Sequence, residues 1–102
     1  MKVVGYNVAK YLKFPEQTPY LYWEDDRTEV HLWCDPENIY HVTFPAPSAI
    51  EAVEYLWKRG IRISYEPVSE GCKGRIEGSV LSNIYPTPTD AMIGCLEWLC
   101  TR

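Results

Sequence analysis

Long apolar runs are missing from the sequence, and none approaches the roughly 20 residues that a membrane-spanning helix needs. The chain also lacks the leading hydrophobic segment of a secretory signal. We therefore expect a cytoplasmic protein that does not interact with membranes. Three catalytic motifs are absent as well, namely Gly-x-x-x-x-Gly-Lys, Gly-x-Ser-x-Gly and His-Glu-x-x-His. These absences favour a protein that is not an enzyme and needs no cofactor.

Positive charge is scarce, with 10 Lys and Arg against 14 Asp and Glu and a formal net charge of −4. A domain that tracks nucleic-acid phosphates usually carries a basic face. The balance therefore argues against nucleic acid as a partner. The basic residues that stand close together in the sequence are Lys58, Arg59, Arg62, Lys73 and Arg75. They form the one candidate patch for an anionic ligand.

Cysteine is limited to four residues, Cys34, Cys72, Cys95 and Cys100, and no two of them form a Cys-x-x-Cys pair. Cys95 and Cys100 are five positions apart, so on one helix their side chains point in different directions rather than at one metal. We expect free thiols that are mostly buried.

Histidine is scarcer still, and a zinc site would have to combine His31, Cys34 and His41 with Asp35 or Cys72. His31 and Cys34 are three positions apart on a predicted strand, so their side chains face opposite ways. The acidic run 24–26 is typical of a solvent-facing turn, because cation-binding loops space their carboxylates at alternate positions. The sequence therefore predicts no metal site.

Two helices are predicted from their end signals. Ser48 and Glu51 form a capping box, and Gly60 supplies a left-handed stop, which predicts a helix over 48–59. Thr87 is a suitable cap for a second helix over 89–99, with Pro88 at the first helical position. The apolar residues at helical spacing are Ile50, Val53, Leu56 and Trp57 in the first helix, and Ala91, Met92, Cys95, Leu96 and Leu99 in the second. Residues 4–13 fit either a helix or a strand.

Alternating patterns predict two hairpins. Tyr20–Trp23 and Glu29–Trp33 flank a polar run, and residues 61–66 and 75–80 alternate on either side of the turn-forming residues 69–71. A further short strand is expected over 40–44. With 102 residues and a hydrophobic content of 46%, the chain predicts one globular domain, residues 1–102. We expect an α+β fold, in which one antiparallel sheet of two hairpins carries the two main helices on one face, beside a short N-terminal helix.

The order of these elements resembles that of small uncharacterised proteins encoded by phages, prophages and mobile elements of Bacteroides-type bacteria. The resemblance covers nearly the whole chain, and its most specific part runs from Ala46-Pro47-Ser48 to Trp57, followed by an Ile-x-Ile strand. It implies a helix at about residues 6–13. It carries over no activity, so no residue inherits a role from it.

Aromatic residues are plentiful, because eight Tyr and four Trp exceed what one small core encloses. Exposed Tyr and Trp are typical of protein-binding surfaces. We expect a small binding or adaptor protein that contacts a host or phage protein, or a second copy of itself, through Tyr20, Tyr22, Trp23, Trp33 and Tyr40. Two alternatives stay open. One is an anionic small molecule such as a nucleotide, held by Lys58, Arg59, Arg62 and Arg75 with Tyr65 or a Trp stacking on it; the other is a purely structural role.

Overall fold

The computed structural model of the protein describes residues 2–33 and 42–101. Three helices and six strands follow one another there, in the order α1 (Tyr6–Leu12), β1 (Tyr20–Trp23), β2 (Asp26–Leu32), β3 (Thr43–Pro45), α2 (Ala49–Lys58), β4 (Ile63–Val68), β5 (Gly71–Ile76), β6 (Ser79–Tyr85) and α3 (Pro88–Cys100). The predicted α+β class is confirmed. None of the helices in these two ranges has the length and apolar character needed to cross a membrane.

The strands form two three-stranded antiparallel sheets, ordered β2-β1-β3 and β4-β5-β6, where the sequence predicts one sheet of two hairpins. Each predicted hairpin acquires its own third strand, so one of its two open edges is paired within a separate sheet. The chain divides accordingly into two compact units, unit 1 over Met1–Ser48 and unit 2 over Ala49–Arg102.

In unit 1, the ambiguous N-terminal segment is a helix, because Val8, Ala9 and Leu12 share one buried face. The helix α1 ends at Lys13, which adopts a left-handed φ of 47° and donates its backbone N–H to the Ala9 carbonyl. The short N-terminal helix implied by the resemblance is therefore present, at Tyr6–Leu12.

The central strand of unit 1 is β1, which pairs with β2 on one side and β3 on the other. The predicted hairpin of β1 and β2 is confirmed, although β2 begins at Asp26 rather than at Glu29. The strand expected over 40–44 is described from Thr43 only, and residues 34–41 lie outside the described residues.

In unit 2, both predicted helices are confirmed to within one residue at each end. The Thr87 hydroxyl accepts the Asp90 N–H at 3.1 Å, with Pro88 in the first turn of α3. Gly60 has a φ of 89° and ends α2, as its position after the apolar stripe predicts. Local end signals are reliable here because they involve only neighbouring backbone groups.

The sheet of unit 2 is a meander with two tight turns. The turn predicted at residues 69–71 joins β4 to β5. The prediction of one strand over 75–80 is wrong, because Glu77 and Gly78 adopt φ values of 52° and 88° and turn the chain back into β6. Positive φ at both central residues matches the right-handed twist of a hairpin, but Glu is not one of the residues that usually signal such a turn.

The core of unit 2 lies between α3 and the inner face of its sheet. Cys72, Gly74 and Ile76 alternate inward along β5, and α3 presents Ala91 and Cys95 to them. A Cβ atom at Gly74 would overlap the Cys95 Sγ and lie 2.9 Å from the Ala91 carbonyl oxygen. Only glycine therefore permits this close approach of helix and strand.

Candidate functional site

One residue of the predicted aromatic surface, Tyr22, is buried in unit 1. Tyr22 is 7% exposed, and its hydroxyl donates to the Val4 carbonyl at 2.9 Å while its ring meets Tyr6 edge-on at 5.9 Å. The prediction that Tyr22 is a surface residue is wrong, because β1 is a central strand in which the adjacent Leu21 is buried as well. Strict alternation assumes a sheet with one solvent-facing side.

The other aromatic residues of that prediction are placed as follows: Tyr20, Trp23 and Trp33 are half-buried, and Tyr40 lies outside the described residues. The Trp23 ring stacks on His31 with centroids 4.4 Å apart. Tyr22 instead belongs to the core of unit 1, so the five predicted residues do not form one exposed patch.

A group of three possible metal ligands, Asp26, Glu29 and His31, lies on β2 with its ligand atoms within 4.8 Å of one another. His31 Nε2 is 3.0 Å from Asp26 Oδ2, so the two side chains already satisfy each other. The zinc partners considered from the sequence, Cys34 and His41, lie outside the described residues. All three side chains of the group are solvent-accessible, as in an ordinary surface charge cluster, and we assign no metal to them.

Glu24 connects the β1–β2 turn to α1. Its carboxylate accepts the Tyr6 hydroxyl at 2.5 Å and lies 3.5 Å from Lys10 Nζ and 3.6 Å from an Arg27 nitrogen. The Tyr6 hydrogen bond, together with the Lys10 and Arg27 charges, lowers the pKa of Glu24. The same hydrogen bond raises the pKa of Tyr6. Because each of these groups has a partner, the cluster stabilises unit 1 and leaves no group free for chemistry.

An apolar groove lies in unit 2 between α2 and β4. Its volume is about 490 Å³, and it is lined by Ile50, Val53, Glu54, Trp57, Lys58, Ile63, Ser64, Tyr65 and Met92. Three of its large side chains remain open to solvent, with Ile50 51%, Trp57 52% and Tyr65 45% exposed. These three side chains form a connected apolar surface around the groove.

Two apolar stripes on α2 explain why the groove exists. Ala49, Ala52, Val53 and Leu56 are buried and complete a core-facing stripe at positions i, i+3, i+4 and i+7. Ile50 and Trp57, which the sequence assigns to the core stripe with Val53 and Leu56, are instead half-exposed. A helix with a complete core face and two further large apolar residues beside it is the sequence signal that identifies the groove.

The two walls of the groove are joined at one end by Trp57. Its indole Nε1–H donates to the Ile63 carbonyl at 3.0 Å, which ties the last turn of α2 to the first residue of β4. The alternation of β4 places Ile63 and Tyr65 on the same face of the sheet as the buried Gly74 and Ile76, to which they are paired.

Lys58 and Arg62, two residues of the predicted basic patch, lie at this end of the groove. Lys58 lines it, and the Arg62 guanidinium lies 5.8 Å from the centre of the Trp57 ring. Among the described residues, no carboxylate lies within ion-pair distance of either cation. This end of the groove therefore carries two exposed cations without an ion pair to any described residue, while Glu54 also lines the groove and the Glu77 carboxylate accepts the Arg62 backbone N–H at 3.0 Å.

The other two residues of the predicted ligand site are directed elsewhere. Arg59 donates to the Tyr55 hydroxyl at 2.6 Å and lies over the Tyr55 ring. Arg75 pairs with Ser64 across the sheet, on the face opposite Tyr65, and lies 3.9 Å from Glu66. The structure therefore divides the predicted ligand site and leaves only two of its four residues beside the groove.

The cysteines described in unit 2 are free thiols. Burial raises the pKa of Cys95 to about 11, and its Sγ donates weakly to the Arg75 carbonyl at 3.7 Å. Burial and the nearby Glu97 raise the pKa of Cys100 to about 11. Both groups remain protonated at neutral pH, which is unsuited to a nucleophile.

No known protein family, curated protein or solved structure matches the chain. The resemblance to small phage and mobile-element proteins therefore stays a prediction.

Proposed function

We propose that the chain is a non-enzymatic binding protein and that the groove between α2 and β4 is its ligand-binding site. The observation that carries this proposal is the exposure of Ile50, Trp57 and Tyr65, at 51%, 52% and 45%, around one apolar hollow of about 490 Å³. This volume lies within the range of pockets that bind drug-sized molecules or peptide side chains.

The free energy for binding comes from covering that apolar surface. Removing apolar surface from water stabilises a complex by about 25 cal/mol per Å². The Trp57 ring is also held by its hydrogen bond to the Ile63 carbonyl before any ligand arrives. Lys58 and Arg62 add two cations at one end, without an ion pair to the described part of the chain. The ligand that fits is therefore apolar with an anionic group.

We further propose that the natural partner is a host or phage protein met in the cytoplasm. The resemblance to phage and mobile-element proteins and the lack of long apolar segments support this part of the proposal. The groove itself supports only the binding of an apolar, anionic ligand.

A fluorescence titration with 8-anilinonaphthalene-1-sulfonate, an aromatic anion, tests the site. Ile50→Glu puts a negative charge on a half-exposed helix position, where we expect the fold to tolerate it and the groove to be disrupted. We expect it to weaken dye binding at least about tenfold, because a covered Ile side chain contributes roughly 1.5–3 kcal/mol and the new carboxylate repels the sulfonate.

The matched control is Ile84→Glu, the same substitution at a residue that is 47% exposed on β6 and does not line the groove. We expect it to bind the dye as the wild type does, and both variants to keep the wild-type circular dichroism. Equal affinity of Ile50→Glu and the wild type, or no saturable binding by the wild type, would contradict the proposal.

A further inference from the structure

The outer edge of β4 can be assigned from the hydrogen bonds on its two sides. The Arg62 carbonyl accepts the Glu77 N–H at 3.0 Å, in register with the pairing of Ser64 with Arg75. In an antiparallel pair the bonded positions alternate with positions whose N–H and C=O groups point away from the partner strand. Ile63, Tyr65 and Pro67 therefore direct their backbone groups away from β5.

Two observations agree with this assignment. The Ile63 carbonyl accepts the Trp57 indole, which lies on the α2 side rather than on the β5 side. Pro67, which has no N–H, occupies an outward position, where a strand tolerates proline without losing a ladder hydrogen bond.

The backbone of Tyr65 is thus the pairing point on the open edge of the sheet. Since β4 is an edge strand of its sheet, no further strand of the described residues covers it. The Ile63 carbonyl is already bonded and Pro67 offers only an acceptor, which leaves Tyr65 with both an N–H and a C=O directed outward. The groove runs beside this edge, and Tyr65 itself lines it.

We propose that the natural occupant of the groove is an extended peptide segment that adds as a short strand to the outer edge of β4. This inference rests on the proposed function of the groove and specifies its ligand. Main-chain hydrogen bonds to Tyr65 hold the peptide backbone, and a large apolar side chain of the peptide enters between Ile50, Val53 and Met92. This is the mode in which backbone pairing supplies affinity and a pocket for alternate side chains supplies specificity.

Charge complementarity specifies the peptide further. Lys58 and Arg62 lie where α2 and β4 meet at Trp57, with no carboxylate of the described residues in ion-pair distance. An acidic side chain or a terminal carboxylate next to the apolar anchor residue would neutralise them. We therefore expect an acidic peptide, bound more weakly as salt rises because exposed charges are screened.

The first experiment uses a displayed library of random octapeptides, selected on the full chain and in parallel on Ile50→Glu. Enrichment on the wild type alone of sequences with one large apolar residue and a neighbouring Asp, Glu or C-terminus supports the inference. Failure to enrich any sequence over Ile50→Glu overturns it.

The second experiment compares two substitutions at Tyr65 with a selected peptide as the probe. Tyr65→Pro removes the outward N–H without touching the ladder to β5, and Pro67 shows that this strand accepts proline at an outward position. Tyr65→Val removes the aromatic ring but keeps the N–H, and is the matched control. We expect Tyr65→Pro to bind the peptide at least about fivefold more weakly than Tyr65→Val, since one hydrogen bond is lost.

N-methylation of the selected peptide tests the same pairing on the wild-type protein, so the inference stays testable if Tyr65→Pro does not fold. Strand addition predicts that methyl groups at alternate positions abolish binding while those between them are tolerated. Uniform tolerance, or equal affinities of Tyr65→Pro and Tyr65→Val, overturns the inference.

The sulfonate dye separates the two proposals. Saturable dye binding by the wild type without selection of any peptide overturns strand addition and leaves the groove as a small-molecule site. Loss of both dye and peptide binding overturns the proposed function itself.

Discussion

The contact between α3 and β5 at Gly74 allows a quantitative test of the core of unit 2. A Cβ atom there would overlap the Cys95 sulfur and lie 2.9 Å from the Ala91 carbonyl oxygen. The sulfur is fully buried and the oxygen belongs to the helix backbone, so neither moves freely. Overpacking of this kind costs typically 1–3 kcal/mol. We expect Gly74→Ala to lower the free energy of unfolding by about 2–3 kcal/mol.

A double-mutant cycle isolates the clash. Cys95→Ala alone should cost about 1 kcal/mol through lost packing. Because it also removes the sulfur that the new Cβ meets, Gly74→Ala in the Cys95→Ala background should cost about 1 kcal/mol less than in the wild type. The remainder reflects the Ala91 carbonyl, which neither substitution moves.

Urea unfolding followed by circular dichroism measures the free energy of unfolding of the wild type, the two single variants and the double variant. Lys73→Ala, a neighbour on β5 whose side chain lies on the opposite face from Gly74, serves as the control and should change stability by under about 1 kcal/mol. A Gly74→Ala variant within about 0.5 kcal/mol of the wild type would refute the close approach of α3 and β5.

Three further predictions concern the turn, the Glu24 cluster and the thiols. Gly78→Ala should destabilise the chain by about 1–2 kcal/mol in thermal unfolding, because Gly78 has a φ of 88° and the left-handed region is costly for a residue with a Cβ. Tyr6→Phe should lower the free energy of unfolding at neutral pH, and this loss should shrink as pH falls. The folded-state pKa of Glu24 is lowered, so the stabilisation by ionised Glu24 is present above its unfolded-state pKa and disappears as pH falls through its folded-state pKa. A loss independent of pH in urea titrations would contradict the Tyr6–Glu24 bond. Burial raises the pKa values of Cys95 and Cys100 to about 11. Both thiols should therefore react with iodoacetamide at pH 8 at least about tenfold more slowly in the folded chain than in urea, as measured by peptide mapping. Equal rates would show that burial does not protect them.

Predictions that depended on the nearest neighbours along the chain succeeded. The Thr87–Asp90 cap, the Gly60 stop and the hairpin of β1 and β2 each involve groups a few residues apart, whose geometry is set by local backbone preferences. The turn at Glu77 and Gly78 is the local signal that was missed, because Glu rarely adopts the positive φ that it has here.

Predictions about which side chains are exposed failed where the packed faces of a strand or helix differ from the single face that its periodicity indicates. Tyr22 alternates correctly along β1, but the strand is central in its sheet and both adjacent faces are packed. Ile50 and Trp57 have the right spacing for a core stripe, yet Ala49 and Ala52 occupy the core side of α2 and leave them in the groove.

By itself, therefore, the sequence determined the mixed α+β class, the ends of the two main helices and most strand positions, because capping, turn chemistry and periodicity act over a few residues. Only the tertiary structure decided that the strands form two sheets, that Arg75 pairs with Ser64 on the face opposite Tyr65, and that Trp57 bonds Ile63 to close one end of a groove. Those facts depend on which elements pack together, and residues distant in sequence meet only when their apolar faces are buried against one another.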